Sequence, residues 1–134
     1  MTMKKASLCA GLLLAVSMPA WAQSVAVIVN PKNATAVSAE QISNVFLGKS
    51  NDLIGVDLPD GNAAREAFYH KVTGKDGPQL KAYWAKLVFT GKAQPLKELS
   101  SDAEVKKFVA ANPTAIGYID KGSVDGSVKV VLTP

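Results

Sequence analysis

The segment of this sequence best suited to chemistry is the turn from Leu58 to Asn62, which joins a predicted strand to a helix that begins near Ala63. The first turn of a helix leaves backbone N–H groups without intrahelical partners and carries partial positive charge, so it can hold phosphate, sulfate or a carboxylate. The anchor of such a site would be Asn62, with Gly61, Ala63, Ala64 and Arg65 around it. Asn62 can equally cap its own helix and do nothing else, and this segment alone favours that simpler interpretation.

Side chains for covalent or metal chemistry are few. His70 is the only histidine, Cys9 is the only cysteine, and no zinc-type ligand set or nucleotide-binding glycine motif occurs. Asp57 and Asp60 flank Pro59 and could bind a hard cation or act as paired carboxylates, although aspartate beside proline and glycine is usual turn chemistry. The sequence therefore predicts a protein that is not an enzyme and that needs no metal and no cofactor.

Strands and helices alternate along the chain. Continuous apolar runs predict strands at residues 25–29, 53–57, 115–119 and 128–132. Capping-box pairs (Ser38 with Gln41, Ser101 with Glu104) start two helices. A third helix follows Asn62, and a fourth runs from Pro78 to Phe89. Such alternation predicts an α/β domain with a mixed, mainly parallel sheet flanked by helices on both faces.

In sheets of this class, ligands lie at the carboxyl ends of strands. This rule indicates Asn30 and the segment from Asp57 to Arg65 as the ligand-binding positions. The helix ending at Phe89 has the strongest periodicity, and we expect its apolar stripe to be buried in the core: Leu80, Tyr83, Trp84, Leu87 and Val88.

The first twenty-two residues have the form of a secretory signal peptide. Lys4 and Lys5 precede a short apolar core, and Ala20-Trp21-Ala22 is a cleavage pattern. Cleavage after Ala22 predicts a single periplasmic domain at residues 23–134, without a lipid anchor or a disulfide. Removing the two lysines leaves 13 basic residues against 11 acidic ones, a net charge of +2, which excludes a nucleic-acid footprint.

Three segments together resemble the phosphate-binding periplasmic proteins of ABC importers. They are Val25 to Pro31 followed by Val45-Phe46-Leu47-Gly48-Lys49, then Asp60 to Phe68, and then Asn112-Pro113-Thr114-Ala115-Ile116-Gly117-Tyr118. The resemblance covers nearly all of residues 23–134. It implies one lobe of a type 2 periplasmic binding fold, whose members close two lobes around an oxyanion and deliver it to a membrane permease.

The chain departs from this family in two respects. Where the family has Gly-Ser-Gly-Thr, with an arginine four positions before the serine, this chain has Asn62, Ala63 and Ala64 at the serine, glycine and threonine positions, and Leu58 at the arginine position. The family's further lobe has no counterpart before Val25, so we expect tight binding to need a partner protein or a second copy of the chain, as in a homodimer.

Two hypotheses remain open. In the first, the protein is a periplasmic solute-binding protein for phosphate or a related oxyanion. In the second, it is an interaction or sensory module that keeps the fold, has lost the ion site and partners a membrane transporter, porin or sensor. The family resemblance favours the first, and the residues at positions 58, 63 and 64 favour the second.

Overall fold

The computed structural model describes residues 24–134. The predicted signal peptide and the cleavage point before Gln23 lie outside these residues. Within the described part of the chain, no helix has the length and apolar character that crossing a bilayer would require.

The described chain forms five strands and four α-helices, and the predicted alternation is confirmed. In order they are β1 (Val25–Val29), α1 (Ala39–Phe46), β2 (Ile54–Asp57), α2 (Ala63–Thr73), α3 (Gly77–Phe89), β3 (Lys97–Glu98), α4 (Asp102–Ala111), β4 (Ala115–Asp120) and β5 (Lys129–Leu132). A 3₁₀ turn at Lys121–Ser123 precedes β5. The sequence did not predict β3, because two residues are too few to make a hydrophobic period.

The sheet is mixed, with the order β3-β2-β4-β1-β5. β2 pairs in parallel with β3 and β4, whereas β1 pairs antiparallel with both β4 and β5. Four strands therefore point the same way and β1 points the opposite way. The predicted fold class, a mixed α/β sheet flanked by helices, is confirmed.

Helix starts follow the predicted capping only in part. Ser38 and Gln41 form a complete capping box at α1. At α4, Ser101 accepts the backbone N–H of Glu104, but the Glu104 carboxylate binds Ser100 instead of the backbone of the cap. The box predicted there is thus wrong by one residue. α3 begins with a box that the sequence reasoning missed, in which Asp76 and Gln79 cap each other.

Side chains on the two faces of the sheet pack against different helices. On one face, Tyr118 of β4 stacks on Phe68 of α2 with ring centroids 4.2 Å apart, and Phe46 of α1 lies edge-on to both. On the other face, α4 approaches β4 so closely that a Cβ on Gly117 would lie 2.6 Å from Cγ1 of Val105. Glycine is required at this contact because any side chain would meet the helix.

The predicted burial of α3 is wrong for most of its apolar stripe. Only Leu80 is fully buried, Tyr83 and Trp84 are half-buried, and Val88 is 44% exposed. α3 is held at the margin of the fold: the Tyr83 hydroxyl donates to the carbonyl of Leu47 at 2.7 Å. A groove between α3 and the segment leading into β3 is open, so the side of the stripe that faces it is left uncovered.

Candidate functional site

Asp57, the last residue of β2, is the centre of the candidate site. Its carboxylate is buried and accepts hydrogen bonds from three groups. Oδ2 accepts the Tyr69 hydroxyl at 2.7 Å, and Oδ1 accepts the Tyr118 hydroxyl and the backbone N–H of Leu58, the latter at 2.9 Å. Strand β2, helix α2 and strand β4 therefore converge on a single carboxylate at the end of the sheet.

The two tyrosines are held in their neutral form by this arrangement. Burial, and then the negative charge of Asp57, raise the pKa of Tyr69 well above its ordinary value of 10.0. The same two causes, in the same order, raise the pKa of Tyr118. Both hydroxyls keep their protons and act as fixed donors to the carboxylate.

Arg65 lies in the first turn of α2 and folds back over the same carboxylate. Its Nε is 3.5 Å from Oδ1 of Asp57, its Nη1 is 3.2 Å from Oδ1 of Asp60, and the guanidinium lies 5.2 Å from the ring centre of Tyr69. Its side chain is 14% exposed. The positive charge of Arg65 is thus already matched by two carboxylates, because one lies beneath it and the other beside it.

Asn62 caps α2, as the simpler interpretation predicts. Its side-chain oxygen accepts the backbone N–H of Arg65 at 3.1 Å, and its own backbone N–H donates to the carbonyl of Pro59 at 3.1 Å. Gly61 makes the turn possible, because its φ of +83° is a conformation that other residues rarely adopt. With the N–H of Arg65 taken by the cap, the N–H groups of Ala63 and Ala64 are those left at this helix end.

Leu58 occupies the position of the family's arginine and belongs to the hydrophobic core. It is 1% exposed, and its backbone N–H is shared between Asp57 and the Tyr118 hydroxyl, the latter at 3.1 Å. This position therefore supplies no guanidinium to the turn. Arg65 is the third residue of α2. Among the described ion pairs, it is the cation that pairs with Asp57 and Asp60.

Asn30 does not join the other predicted site residues. Because β1 runs antiparallel to β4, Val29 pairs with Ile116 near the start of β4, so Asn30 lies at the opposite end of the sheet from Asp57. The Asn30 amide donates to the carbonyls of Val109 and Ala110 at 3.0 and 2.9 Å and closes the end of α4. The carboxyl ends of β1 and β2 therefore do not meet at one edge of the sheet, since that rule places ligands together only for strands that run the same way.

An open groove runs alongside the site. It has a volume of about 420 Å³ and lies between α3 and the segment leading into β3. Leu80, Trp84 and Leu96 are among its apolar walls, whereas Asp60 and Glu98 are among the charged residues that line it. Its charged lining is mixed, because Arg65 and Lys81 line it together with Asp57, Asp60 and Glu98, so the groove has no excess of positive charge for an anion.

Sequence reasoning missed the two tyrosines. The signal for Tyr69 is its spacing of four from Arg65, which puts both side chains on one side of α2. Tyr118 is recognisable only as part of a buried strand, and nothing local indicates that its hydroxyl meets Asp57 from sixty-one residues away. In the described part of the chain, no group of three or more histidine, cysteine, aspartate or glutamate residues could hold a metal ion, and His70 is exposed.

Comparison by structure finds receptors of phosphate transport. A phosphate transport receptor of the ABC type from Vibrio cholerae matches with a TM-score of 0.63 and 20% identity, over 81% of this chain and 45% of that one. A Clostridium perfringens structure with bound phosphate, described as a phosphate ABC transporter substrate-binding protein, matches with a TM-score of 0.63 and 24% identity, over 81% of this chain and 44% of that one. PstS from Borrelia burgdorferi matches with a TM-score of 0.62 and 12% identity, over 81% of this chain and 46% of that one.

Comparison by sequence alone gives no such likeness. No protein-family model matches, and no curated protein is similar enough to count as a relative. The chain spans less than half of the length of each of these three structures. The described residues therefore have the fold of periplasmic binding protein domains, and their structural likeness is to the substrate-binding proteins of phosphate ABC transporters.

Proposed function

We propose that this chain is an exported accessory domain that has the fold of a phosphate-receptor lobe and acts by contacting a membrane-bound transporter, porin or sensor. Export would follow cleavage of the predicted signal peptide after Ala22 and would leave the domain in the periplasm. The observation that carries the proposal is the position of Arg65, whose guanidinium is held by Asp57 and Asp60.

The charges around the turn disfavour a bound oxyanion. An anion at the start of α2 would compete with Asp60 for Arg65, and it would also lie near the buried Asp57 carboxylate. Asp60 is 65% exposed and could turn away at little cost, but Asp57 is fixed by two tyrosines and would remain. A receptor site for phosphate needs a positive charge that is free to pair with the anion, whereas the charge of Arg65 is already paired with two carboxylates. The buried Nε of Arg65 makes no hydrogen bond among the described residues, but the Asp57 carboxylate lies 3.5 Å from that atom.

Weak oxyanion binding at the same helix end is the second candidate function. It is supported by the exposure of Ala63 at the start of α2 and by the phosphate bound in the Clostridium perfringens structure. Hydrogen bonds to a charged partner contribute about 1.5–3 kcal/mol each, so the two N–H groups of Ala63 and Ala64 supply about 3–6 kcal/mol. Because association has its own entropic cost, that sum sets only an upper limit on the affinity, a dissociation constant of about 40 μM.

Calorimetry separates the two candidates. Residues 23–134, freed of phosphate, would be titrated at low salt with phosphate, sulfate and a dicarboxylate. We expect no binding tighter than millimolar, and we expect Asp60→Ala, which releases Arg65, to bind phosphate more tightly than the original chain. Micromolar phosphate binding that is weakened by Arg65→Ala but not by Lys32→Ala, an exposed cation at the other end of the sheet, would establish a receptor and refute the proposal.

A site-specific cross-link tests the partner directly. A photoreactive side chain at Ala63, exposed at the start of α2, should capture a membrane protein in intact cells. The matched control is Ala103, an exposed alanine near the start of α4 on the other face of the sheet. Equal capture from both positions, or none from Ala63, would contradict a specific partner at this end of the domain.

A further inference from the structure

The outer surface of α3, formed by Ala82, Ala85, Lys86 and Phe89, is exposed along its whole length. These residues have the i, i+3, i+4, i+7 spacing of a single helix face. Phe89 is 92% exposed, the largest value among the exposed large hydrophobic residues of the described chain. A phenylalanine exposed to this degree at the end of a helix projects from the surface into solvent.

The surroundings of this surface are basic. Residues 77–97 contain four lysines and no acidic residue. Lys86 lies on the surface itself, Lys81 lies one turn before Ala85, and Lys92 follows the turn that ends the helix, where its N–H donates to the carbonyl of Leu87 at 2.9 Å. In the described part of the chain, none of these three lysines forms an ion pair.

The acidic residues near α3 lie on the side of the helix that faces the groove. Lys81, Ala85 and Val88 border that groove, whose lining also includes Asp60 and Glu98. Phe89 and Lys86 are not among its lining residues. The part of α3 that carries the exposed phenylalanine therefore presents positive charge, and an anionic occupant is complementary to it.

The size of the apolar part identifies the kind of occupant. One phenylalanine contributes about 150–250 Å² of surface, whereas a stable protein interface buries about 800 Å² on each partner. A single inserted aromatic ring with lysines around it suits the headgroup layer of a bilayer, where attraction to anionic lipids adds to apolar burial. We propose that the outer surface of α3 docks on an anionic phospholipid membrane, with Phe89 inserted and Lys86 and Lys92 facing the headgroups.

This inference goes beyond the proposed function because it concerns the outside of α3 and not the start of α2. If vesicle binding fails, the conclusion that Arg65 is paired with two carboxylates still stands. If phosphate does not bind in the titration, membrane docking can still be tested separately. Docking would hold the domain at the bilayer in which a transporter or sensor lies.

Vesicle co-sedimentation tests it. Residues 23–134 would be mixed with neutral phosphatidylcholine vesicles and with vesicles that contain about one third phosphatidylglycerol, an anionic lipid. We expect binding to the anionic vesicles alone, with loss of binding at high salt. Phe89→Ser should lower the partition coefficient at least tenfold, and Lys86→Gln should lower it about fivefold.

Val130→Ser is the matched control, because Val130 is a large hydrophobic residue of β5 that is 39% exposed. It should leave binding unchanged, and circular dichroism should show every variant folded. Equal binding to neutral vesicles, absence of binding to both, or equal losses in the Val130 and Phe89 variants would overturn the proposal. Sedimentation velocity adds a further test, because a dimer that depends on Phe89 would show that this surface meets a second copy of the chain instead of lipid.

Discussion

Removing the Tyr69 hydroxyl by Tyr69→Phe tests whether the carboxylate network holds this end of the sheet together. The substitution keeps the ring, which packs edge-on against Phe68 at a centroid distance of 5.2 Å. It deletes the one donor recorded for Oδ2 of Asp57 among the described hydrogen bonds. Oδ1 keeps its bonds to Tyr118 and to the backbone of Leu58.

The magnitude follows from the charge and burial of the acceptor. Tyr69 is fully buried and the Asp57 side chain is 11% exposed, so water cannot readily replace the lost donor. A hydrogen bond to a charged group contributes about 1.5–3 kcal/mol. For a domain of this size the loss corresponds to a fall in melting temperature of about 5–15 °C.

The chain offers a matched control in Tyr83→Phe. The Tyr83 hydroxyl also donates a 2.7 Å bond, but its acceptor is the neutral carbonyl of Leu47 and the residue is half-buried. We expect that control to cost about 0.5–1.5 kcal/mol. Urea unfolding of residues 23–134, followed by circular dichroism, measures both. An equal or smaller loss for Tyr69→Phe than for Tyr83→Phe would refute the idea that Asp57 is a charged, buried hub.

Three further outcomes are expected. Asn30→Ala should lower the free energy of unfolding by about 1–3 kcal/mol, because two carbonyls at the end of α4 lose their donor, and it should leave any anion response unchanged; altered anion binding would return Asn30 to the ligand site. Gly117→Ala should cost about 1–3 kcal/mol by overpacking against α4, whereas Gly126→Ala, with open space around it, should be tolerated in the same urea assay. Above pH 10.0, the ordinary pKa of tyrosine, the unfolded chain releases two protons that Tyr69 and Tyr118 retain in the fold. The contribution of these tyrosines to the free energy of unfolding is complete below that pH, and the free energy of unfolding should fall above it by up to about 2.7 kcal/mol per pH unit. An unchanged free energy of unfolding in alkaline urea titrations would contradict the raised pKa values.

Local sequence patterns were sufficient for the order and type of most elements. The run from Val25 to Val29 and the capping boxes specify structure within a few residues, so they are legible without the rest of the chain. The capping role of Asn62 was predictable for the same reason, since its partner is the N–H three residues later. The fold class followed because alternating strands and helices have few ways to bury their apolar faces.

Strand direction was decided only by the tertiary structure. Nothing in the sequence of β1 distinguishes a parallel strand from an antiparallel one when both of its faces are buried, and its reversal moved Asn30 to the far end of the sheet. The burial of α3 was decided in the same way. Its apolar period is that of a buried helix, but in the described part of the chain Val88 and Phe89 remain exposed.

The charge state of the candidate site depends on contacts between residues far apart in the chain. The sequence determined that Arg65 lies in the first turn of a helix after Asn62 and near Asp57 and Asp60. Only the folded chain decided that Tyr69 and Tyr118 bury the Asp57 carboxylate and that Arg65 lies over it. Capping and periodicity are properties of short segments, whereas the pairing of a buried charge depends on which side chains the packed sheet and helices bring into contact.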